Sequence, residues 1–425
     1  MAMTLAEKLL ARASGRAAVS PGDILTCAVD LAMIHDSGGP RRVAPILKRW
    51  GVGVWDPNRV ALIGDHYVPA VDDETRRIAE VTRAFAIEQK ISNFYEAEGI
   101  CHVVLPERGH LRPGMFVVGG DSHSPTGGAF GTYMFGIGAT EMAGVLATGE
   151  IWVRVPETIE ITFDNAFGAA VVAKDLMLFL CGRMGMDGGR SQAVQFSGAA
   201  IRKLGMQERM TLANMTAELG GQVGLIEPDD VTVSYLRAAG VTTGNVSAWR
   251  SDEDAERAEH HRFDAAALSP YVAAPHSPAN SAPVGEMDPV SIDVAYIGAC
   301  TGAKLVDLRM AAEVLRGRRV AANVRLLVAP ASRRDQDMAA REGIMAVLEE
   351  AGASLLPNAC GICAGYGGTL DEGVTCLSST ARNFKGRMGA ASSRVYLGSP
   401  YTVAASAVTG RITDPRILLA EGAPR

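Results

Sequence analysis

The stretch Ser291–Gly317, "SIDVAYIGACTGAKLVDLRMAAEVLRG", passes from an apolar run through a small polar turn into a helical pattern. "SIDVAYIG" has the length and content of a buried strand, and "KLVDLRMAAEVLRG" repeats its apolar residues at helical spacing. The alternation continues: "NVRLLVAP" reads as a strand, "RRDQDMAAREGIMAVLEEAG" as a helix and "SLLP" as a short strand. Alternation at this spacing predicts a parallel sheet with right-handed crossovers, so the chain is of the α/β class. Cys300 then falls at the carboxyl end of the first strand, and Cys360 and Cys363, in "PNACGICAGYGG", follow the third. Ligands of open α/β sheets bind outside the carboxyl ends of the strands, which predicts the three cysteines on one edge.

Upstream, the first third also alternates strand-like runs ("VALIG", "MFVVGG") with helical ones ("ETRRIAEVTRAFAIEQ"). After Pro156 come a strand-like "TIEITF", a helical "AKDLMLFLCGRMG" and a second helical run, "RMTLANMTAELGGQVG". A charged run from Ser251 gives way to "SPYVAAPHSPANSAPVGEMDP", whose proline, serine and alanine content is that of a linker. That places a domain boundary near residue 285. No repeat of solenoid or propeller period is present.

At 425 residues the chain exceeds the roughly 250–300 residues over which one core keeps growing, so two or three domains are expected. It is 48% hydrophobic and 21% charged, and no apolar run approaches the roughly 18 to 20 residues that cross a bilayer. The N-terminus is not a signal peptide: Thr4 and Glu7 form a capping box ahead of an apolar stripe of Leu5, Leu9 and Leu10. A net charge of −6 argues against a nucleic-acid-binding surface. Seven cysteines in a chain of this length suit a reducing cytoplasm, where paired cysteines hold metal or do redox work.

A thioredoxin-like dithiol would sit between a strand and a helix, whereas Cys360-x-x-Cys363 runs into the loop-like "AGYGGTLDEG". Structural zinc takes four ligands, commonly two such pairs or cysteine with histidine. Only one pair exists, and five of the eight histidines lie between residues 35 and 123. An iron–sulfur cluster is the remaining metal reading, and spacing alone does not decide it. Cys376, a candidate fourth ligand, reads as a small buried side chain within a strand. The glycine-rich "GIGATE" is no dinucleotide fingerprint, because Glu141 stands at the third glycine position. Asp65 directly precedes His66, and Asp121 lies two before His123, in a polar turn after "MFVVGG". A carboxylate beside an imidazole fixes its tautomer and raises its pKa, as a general acid requires. Ser122 lacks the nucleophile elbow of a serine triad.

"VVGGDSHSPTGGAFG", "IGACTG" and "ACGICAG" together resemble the aconitase family, and in particular the large subunits of isopropylmalate isomerase, homoaconitase-like and small-dicarboxylate hydratase members. The likeness covers nearly the whole chain and extends to "GDHYVP", "GICHVVLPE", "ERMTLANMTAELGGQVGLIEPDD" and "RNFKGRMG". It implies three α/β domains (1–155, 156–285 and 286–425) around a cluster cleft, without the swivelling fourth domain of single-chain aconitases. Cys300, Cys360 and Cys363 match the thiolates of a [4Fe–4S] cluster whose fourth iron binds substrate. Asp65 and His66 match residues that hold and protonate the leaving hydroxyl, with His102, Asp121 and His123 supporting them. Glu218 and Asn214 match a carboxylate and an amide near the iron. Arg382 and Arg387 match arginines that grip a substrate carboxylate, and Ser122 is grouped with these substrate-binding residues. His35 falls where the tricarboxylate enzymes carry a glutamine.

The resemblance implies a [4Fe–4S] hydro-lyase that reversibly hydrates a small cis-unsaturated dicarboxylate. Isopropylmalate, maleate, citraconate and dimethylmaleate chemistries, and a homoaconitase-type tricarboxylate, all come into view. A base for the β-proton is missing from this chain. The likeness therefore implies a small-subunit partner that supplies a serine base and further arginines. Two departures stand out: Gly302 replaces the usual asparagine after Cys-Thr, and Ala381 replaces the first asparagine of Asn-Arg-Asn. An iron-sensing RNA-binding role, known among aconitase relatives, is disfavoured by the net charge and the acid–base residues.

Overall fold

Two parallel sheets organise the chain, and in each the winding begins at a central strand. The computed structural model describes residues 2–366 and 369–421; Gly367 and Gly368, at the end of the cysteine loop quoted above, lie outside the described residues. The chain divides into two compact units.

The first unit comprises Met1–Ala97, Cys101–Asp164 and Gly189–Phe263. Five parallel strands run in the order Asn93–Glu96, Val60–Gly64, Leu31–His35, Phe116–Gly119, Tyr133–Gly136. From Leu31–His35 the chain winds outward through Val60–Gly64 and Asn93–Glu96, then returns to the opposite side at Phe116–Gly119. The switch point between Leu31–His35 and Phe116–Gly119 is where such a sheet opens a crevice. Both faces are covered, so the strands Leu31–His35 and Val60–Gly64 are buried at every position. Leu5, Leu9 and Leu10, fully buried on the helix Leu5–Ala13, pack into the same core as Ile34, Leu62, Phe116 and Val118. Each such burial is worth about 1.5–3 kcal/mol. The Thr4–Glu7 capping box forms as expected, with the Thr4 amide donating to Glu7 Oε2 at 2.7 Å.

A four-stranded sheet completes this unit, in the order Val223–Ile226, Ala193–Ser197, Thr158–Asp164, Glu259–Asp264. The run 209–224, expected to be one helix, is helical only as Met206–Met215 and then turns. Fully buried Arg209 fixes this helix through a two-point pair with Asp229, at 2.8 and 2.7 Å. The glycine-rich segment after His123 holds more than a turn. A 3-10 turn, Ser124–Phe130, and the strand Tyr133–Gly136 precede the helix Ala139–Thr148. Glycine density hid a strand only four residues long.

The second unit comprises Glu98–Ile100, Asn165–Gly188 and Asp264–Arg425. Its seven-stranded sheet runs Ser281–Pro283, Tyr271–Ala273, Arg394–Gly398, Thr375–Ser378, Val294–Ile297, Arg325–Val328, Ser354–Leu355. The last five are parallel, as the alternation predicts, and the switch point lies between Val294–Ile297 and Thr375–Ser378. The stretch read as a linker instead forms an antiparallel pair that extends the sheet, with Tyr271 opposite Pro283. Proline is tolerated there because the strand is at an edge. The helix expected over 333–352 is two helices, Arg333–Arg341 and Ile344–Ala351, broken at Gly343, whose φ of 72° is left-handed. Among the described residues no helix is long and apolar enough to cross a membrane.

Candidate active-site groups

In the first unit, three neighbouring strands deliver the acid–base residues at their carboxyl ends. Leu31–His35 ends in His35 and Asp36, Val60–Gly64 leads into Asp65 and His66, and Phe116–Gly119 leads through Gly120 into Asp121. His66 Nδ1 lies 2.7 Å from Asp65 Oδ1 and 3.5 Å from Asp36 Oδ1. Asp65 uses its other oxygen to accept the Cys101 amide at 2.8 Å, while Asp36 accepts the amides of His66 and Tyr67 at 3.1 and 3.0 Å. Burial alone would discharge His66, but Asp65 and Asp36 outweigh it and hold the imidazole pKa well above its usual value. Burial likewise raises the Asp65 carboxyl, and His66 more than reverses this, leaving it below the ordinary range.

His35 stacks on His66, with ring centroids 4.3 Å apart. Its Nε2 faces the Gly120 carbonyl at 3.0 Å and its Nδ1 accepts the Ser37 amide at 3.3 Å, so it is a neutral Nε2–H imidazole. Burial, and then the charge on His66, push its pKa down. Asp121 gathers the remaining imidazoles. Its Oδ1 accepts from His102 Nε2 and from the His123 amide, both at 2.8 Å. Burial works against the Asp121 carboxylate, but the bond from His102 and the electrostatic influence of the facing imidazoles hold its pKa well below the usual value. His123 Nε2 reaches Glu218 Oε1 at 3.0 Å. Asn214 donates to Thr126 Oγ1 at 2.8 Å, and Thr126 in turn donates to the His123 carbonyl at 2.7 Å.

The structure thus joins Asp65, His66, His35, His102, Asp121, His123, Glu218 and Asn214 in one hydrogen-bonded and stacked set. Ser122 is exposed on the same turn. Asp36 and Thr126 belong to the set but escaped the sequence reading. For Asp36 a signal existed, since it follows His35 at a strand end just as Asp65 follows Gly64.

In the second unit, Cys300 follows Val294–Ile297, and Cys360 precedes the 3-10 turn Gly361–Ala364 that contains Cys363, with the Cys363 amide on the Cys360 carbonyl at 3.0 Å. The Cys300 turn is braced by two buried ammonium groups. Lys304 Nζ donates to the Cys300 carbonyl at 2.8 Å and pairs with Asp307 at 2.8 Å. Lys174 Nζ, on a side chain only 1% exposed, reaches the Ser379 and Thr380 carbonyls at 3.2 and 2.5 Å and Thr301 Oγ1 at 3.4 Å. Lys174 therefore ties the residue after Cys300 to the segment that leads into Arg382. After the cysteine loop, the chain returns beside Arg387: the Leu370 amide donates to the Met388 carbonyl at 2.8 Å. Cys376 lies buried within Thr375–Ser378, where burial pushes its thiol far up, in keeping with the apolar reading.

Both departures from the usual motifs have a physical setting. A Cβ at Gly302 would lie 2.2 Å from Ser379 Oγ and 2.6 Å from the Ser379 carbonyl oxygen, so only glycine fits that approach. Ala381 is 1% exposed, where an amide would need buried partners. The neighbouring Asn383 does use its amide, donating to the carbonyls of Ala274 and Val395 at 2.9 and 3.1 Å.

Known proteins resemble this chain over nearly its full length. Residues 12–410 match the Aconitase family (aconitate hydratase). The large subunit 1 of 3-isopropylmalate dehydratase from Methanopyrus kandleri is 44% identical over 418 residues, covering 98% of this chain and 99% of that protein. The large subunit of 3-isopropylmalate dehydratase from Aquifex aeolicus is 42% identical, covering 98% of this chain and 97% of that protein. A probable methanogen homoaconitase large subunit from Methanothermobacter thermautotrophicus is 43% identical, covering 97% and 98% respectively. With nearly its full length matched in this way, the chain belongs to the aconitase family of hydro-lyases.

Proposed function

We propose that this chain is the large, cluster-binding subunit of a [4Fe–4S] hydro-lyase that reversibly hydrates a small cis-unsaturated dicarboxylate, of the isopropylmalate isomerase or maleate, citraconate or dimethylmaleate hydratase type. The observation that carries the reading is the Asp65–His66 pair at 2.7 Å, with Asp36 behind it, at the carboxyl ends of adjacent parallel strands. It provides an imidazolium ready to give up a proton at neutral pH.

Enzymes of the aconitase family use an iron–sulfur cluster. The residues of the second unit fit such a group. Cys300, Cys360 and Cys363 form no disulfide. In the same unit, the buried phenol of Tyr296, on which these cysteines and Cys376 act electrostatically, has a hydroxyl with no partner among the described residues. When bound, the group would supply a Lewis-acid iron for the substrate hydroxyl.

The chain's own residues supply the rest. His66, with Nδ1 committed to Asp65, would deliver a proton from Nε2 to the departing hydroxyl. Asp65, already held by the Cys101 amide, keeps the ring oriented and stabilises its charge. His102 and His123 stay fixed through Asp121 and Glu218. Arg382 and Arg387 would receive carboxylates, for which the guanidinium fork is shaped. The base for the β-proton would come from a separate small subunit, which the names of the relatives as large subunits support. Identity of 43% to a homoaconitase large subunit favours a tricarboxylate as the second reading.

Anaerobic reconstitution with ferrous iron and sulfide should give a broad brown absorbance, which Cys360→Ser should abolish. Uptake of zinc without sulfide would overturn the cluster. With the small subunit co-expressed, a panel of maleate, citraconate, isopropylmalate and homoaconitate should reveal one preferred hydration. Equal turnover by the isolated chain would overturn the missing-base argument.

A further inference from the structure

Tyr296 lies in mid-strand Val294–Ile297, in an apolar run that gives no hint of a polar role, and it is 1% exposed. Its ring folds back over the chain: a Cβ on Gly298 would lie 2.3 Å from the phenolic oxygen, so the position opposite the hydroxyl is open only because residue 298 is glycine. The hydroxyl is thereby set against the turn that carries Cys300. It is fully buried and makes no hydrogen bond among the described residues. A phenol held away from water normally finds an acceptor, and a phenylalanine would fill the same space without the desolvation cost. The groups in electrostatic reach are sulfur: Cys363, Cys360, Cys376 and Cys300. A phenol is protonated at neutral pH, so towards sulfur it can act only as a donor.

Building on the cluster reading above, we infer that the Tyr296 hydroxyl is a hydrogen-bond donor reserved for the sulfur of the bound iron–sulfur group, where it raises the group's reduction potential and slows its oxidative loss. Donors to cluster sulfur stabilise the more electron-rich, reduced state and so shift the potential upward. A cluster that is harder to oxidise holds its substrate-binding iron longer in air. Tyr296 would thus protect the cluster without contacting substrate.

The test uses the full chain, wild type and Tyr296→Phe, reconstituted anaerobically with ferrous iron and sulfide and assayed for both elements. Phenylalanine keeps the ring packing, so iron and sulfide contents should be equal. An electron-paramagnetic-resonance titration against dithionite should give a more negative midpoint for Tyr296→Phe. Its brown absorbance should bleach several-fold faster in air. Iron–sulfur stretching bands of the wild type should shift in D2O by more than those of the variant. Equal potentials, bleaching rates and deuterium shifts in two equally loaded chains would overturn this inference alone. A wild-type chain that takes up no iron and sulfide would overturn the cluster reading along with it.

Discussion

In the first unit, the buried charges answer one another. Asp65 and Asp36 face His66, Asp121 faces His102, and Glu218 faces His123, at distances of 2.7 to 3.5 Å. In the second unit, by contrast, the thiols have no disulfide, two buried ammonium groups bind carbonyl oxygens, Lys304 also pairing with Asp307, and a phenol hydroxyl has no partner among the described residues. The first group is organised before any ligand arrives. On the proposed function, the second would be a cradle whose polar balance is completed by what it holds. One would then supply a preset proton inventory and the other a socket, and the two should respond differently to mutation.

The largest effect should come from His66→Gln, which removes the proton donor while leaving the socket whole. We expect kcat to fall by roughly 10² to 10⁴ with unchanged iron and sulfide content. Loss of iron in that variant would erase the distinction between the groups. Arg382→Lys should act more gently, since a point charge replaces a fork. Its KM should rise about tenfold, equivalent to about 1.4 kcal/mol, with kcat changed less. A fall confined to kcat would show that Arg382 does not hold a ground-state carboxylate.

The subtlest effect is in pH dependence. With His66 as the proposed proton donor, the rate should hold at lower pH and decline as pH rises through its raised pKa. The linked stability has the same sign: it is fully present below the unfolded-state value of about 6.5 and is lost as pH rises through the folded value. Asp36→Asn removes one of the two carboxylates responsible and should move the decline to lower pH. An unmoved profile would assign the effect to Asp65 alone. For Asp121, whose pKa is depressed, the stabilisation runs the other way, disappearing as pH falls below the ordinary carboxylate range.

Much of this division is readable in the residues themselves. Strand-ending dipeptides such as Asp65-His66 announce chemistry because an apolar run stops abruptly at ionisable groups. Three strands of the second unit's sheet follow from helix and strand periodicity over residues 291–355. What stayed hidden depends on contacts remote in sequence. Lys174, within "AKDLMLFLCGRMG", resembles any helical lysine until both helix faces prove covered and its ammonium meets Thr301, Ser379 and Thr380. Tyr296 looks like core because a strand's period cannot reveal that its ring turns back over Gly298. The edge pair Tyr271–Ala273 and Ser281–Pro283 was masked by proline, serine and alanine, residues whose composition signals a linker whether or not a sheet edge is available.

The close approach of Gly302 to Ser379 constrains how this chain could change over evolution. A Cβ at 302 meets the Ser379 carbonyl as well as its hydroxyl, so trimming Ser379 to glycine would remove only half the obstruction. Restoring an asparagine at 302 would require the main chain at 379 to shift, and that segment is held by Lys174. The substitution is therefore epistatic. Single-step reversion is blocked, and any path back to the more common motif must pass through compensating changes on the segment leading to Ala381 and Arg382. Specificity engineered at this corner should be designed as a set of linked positions.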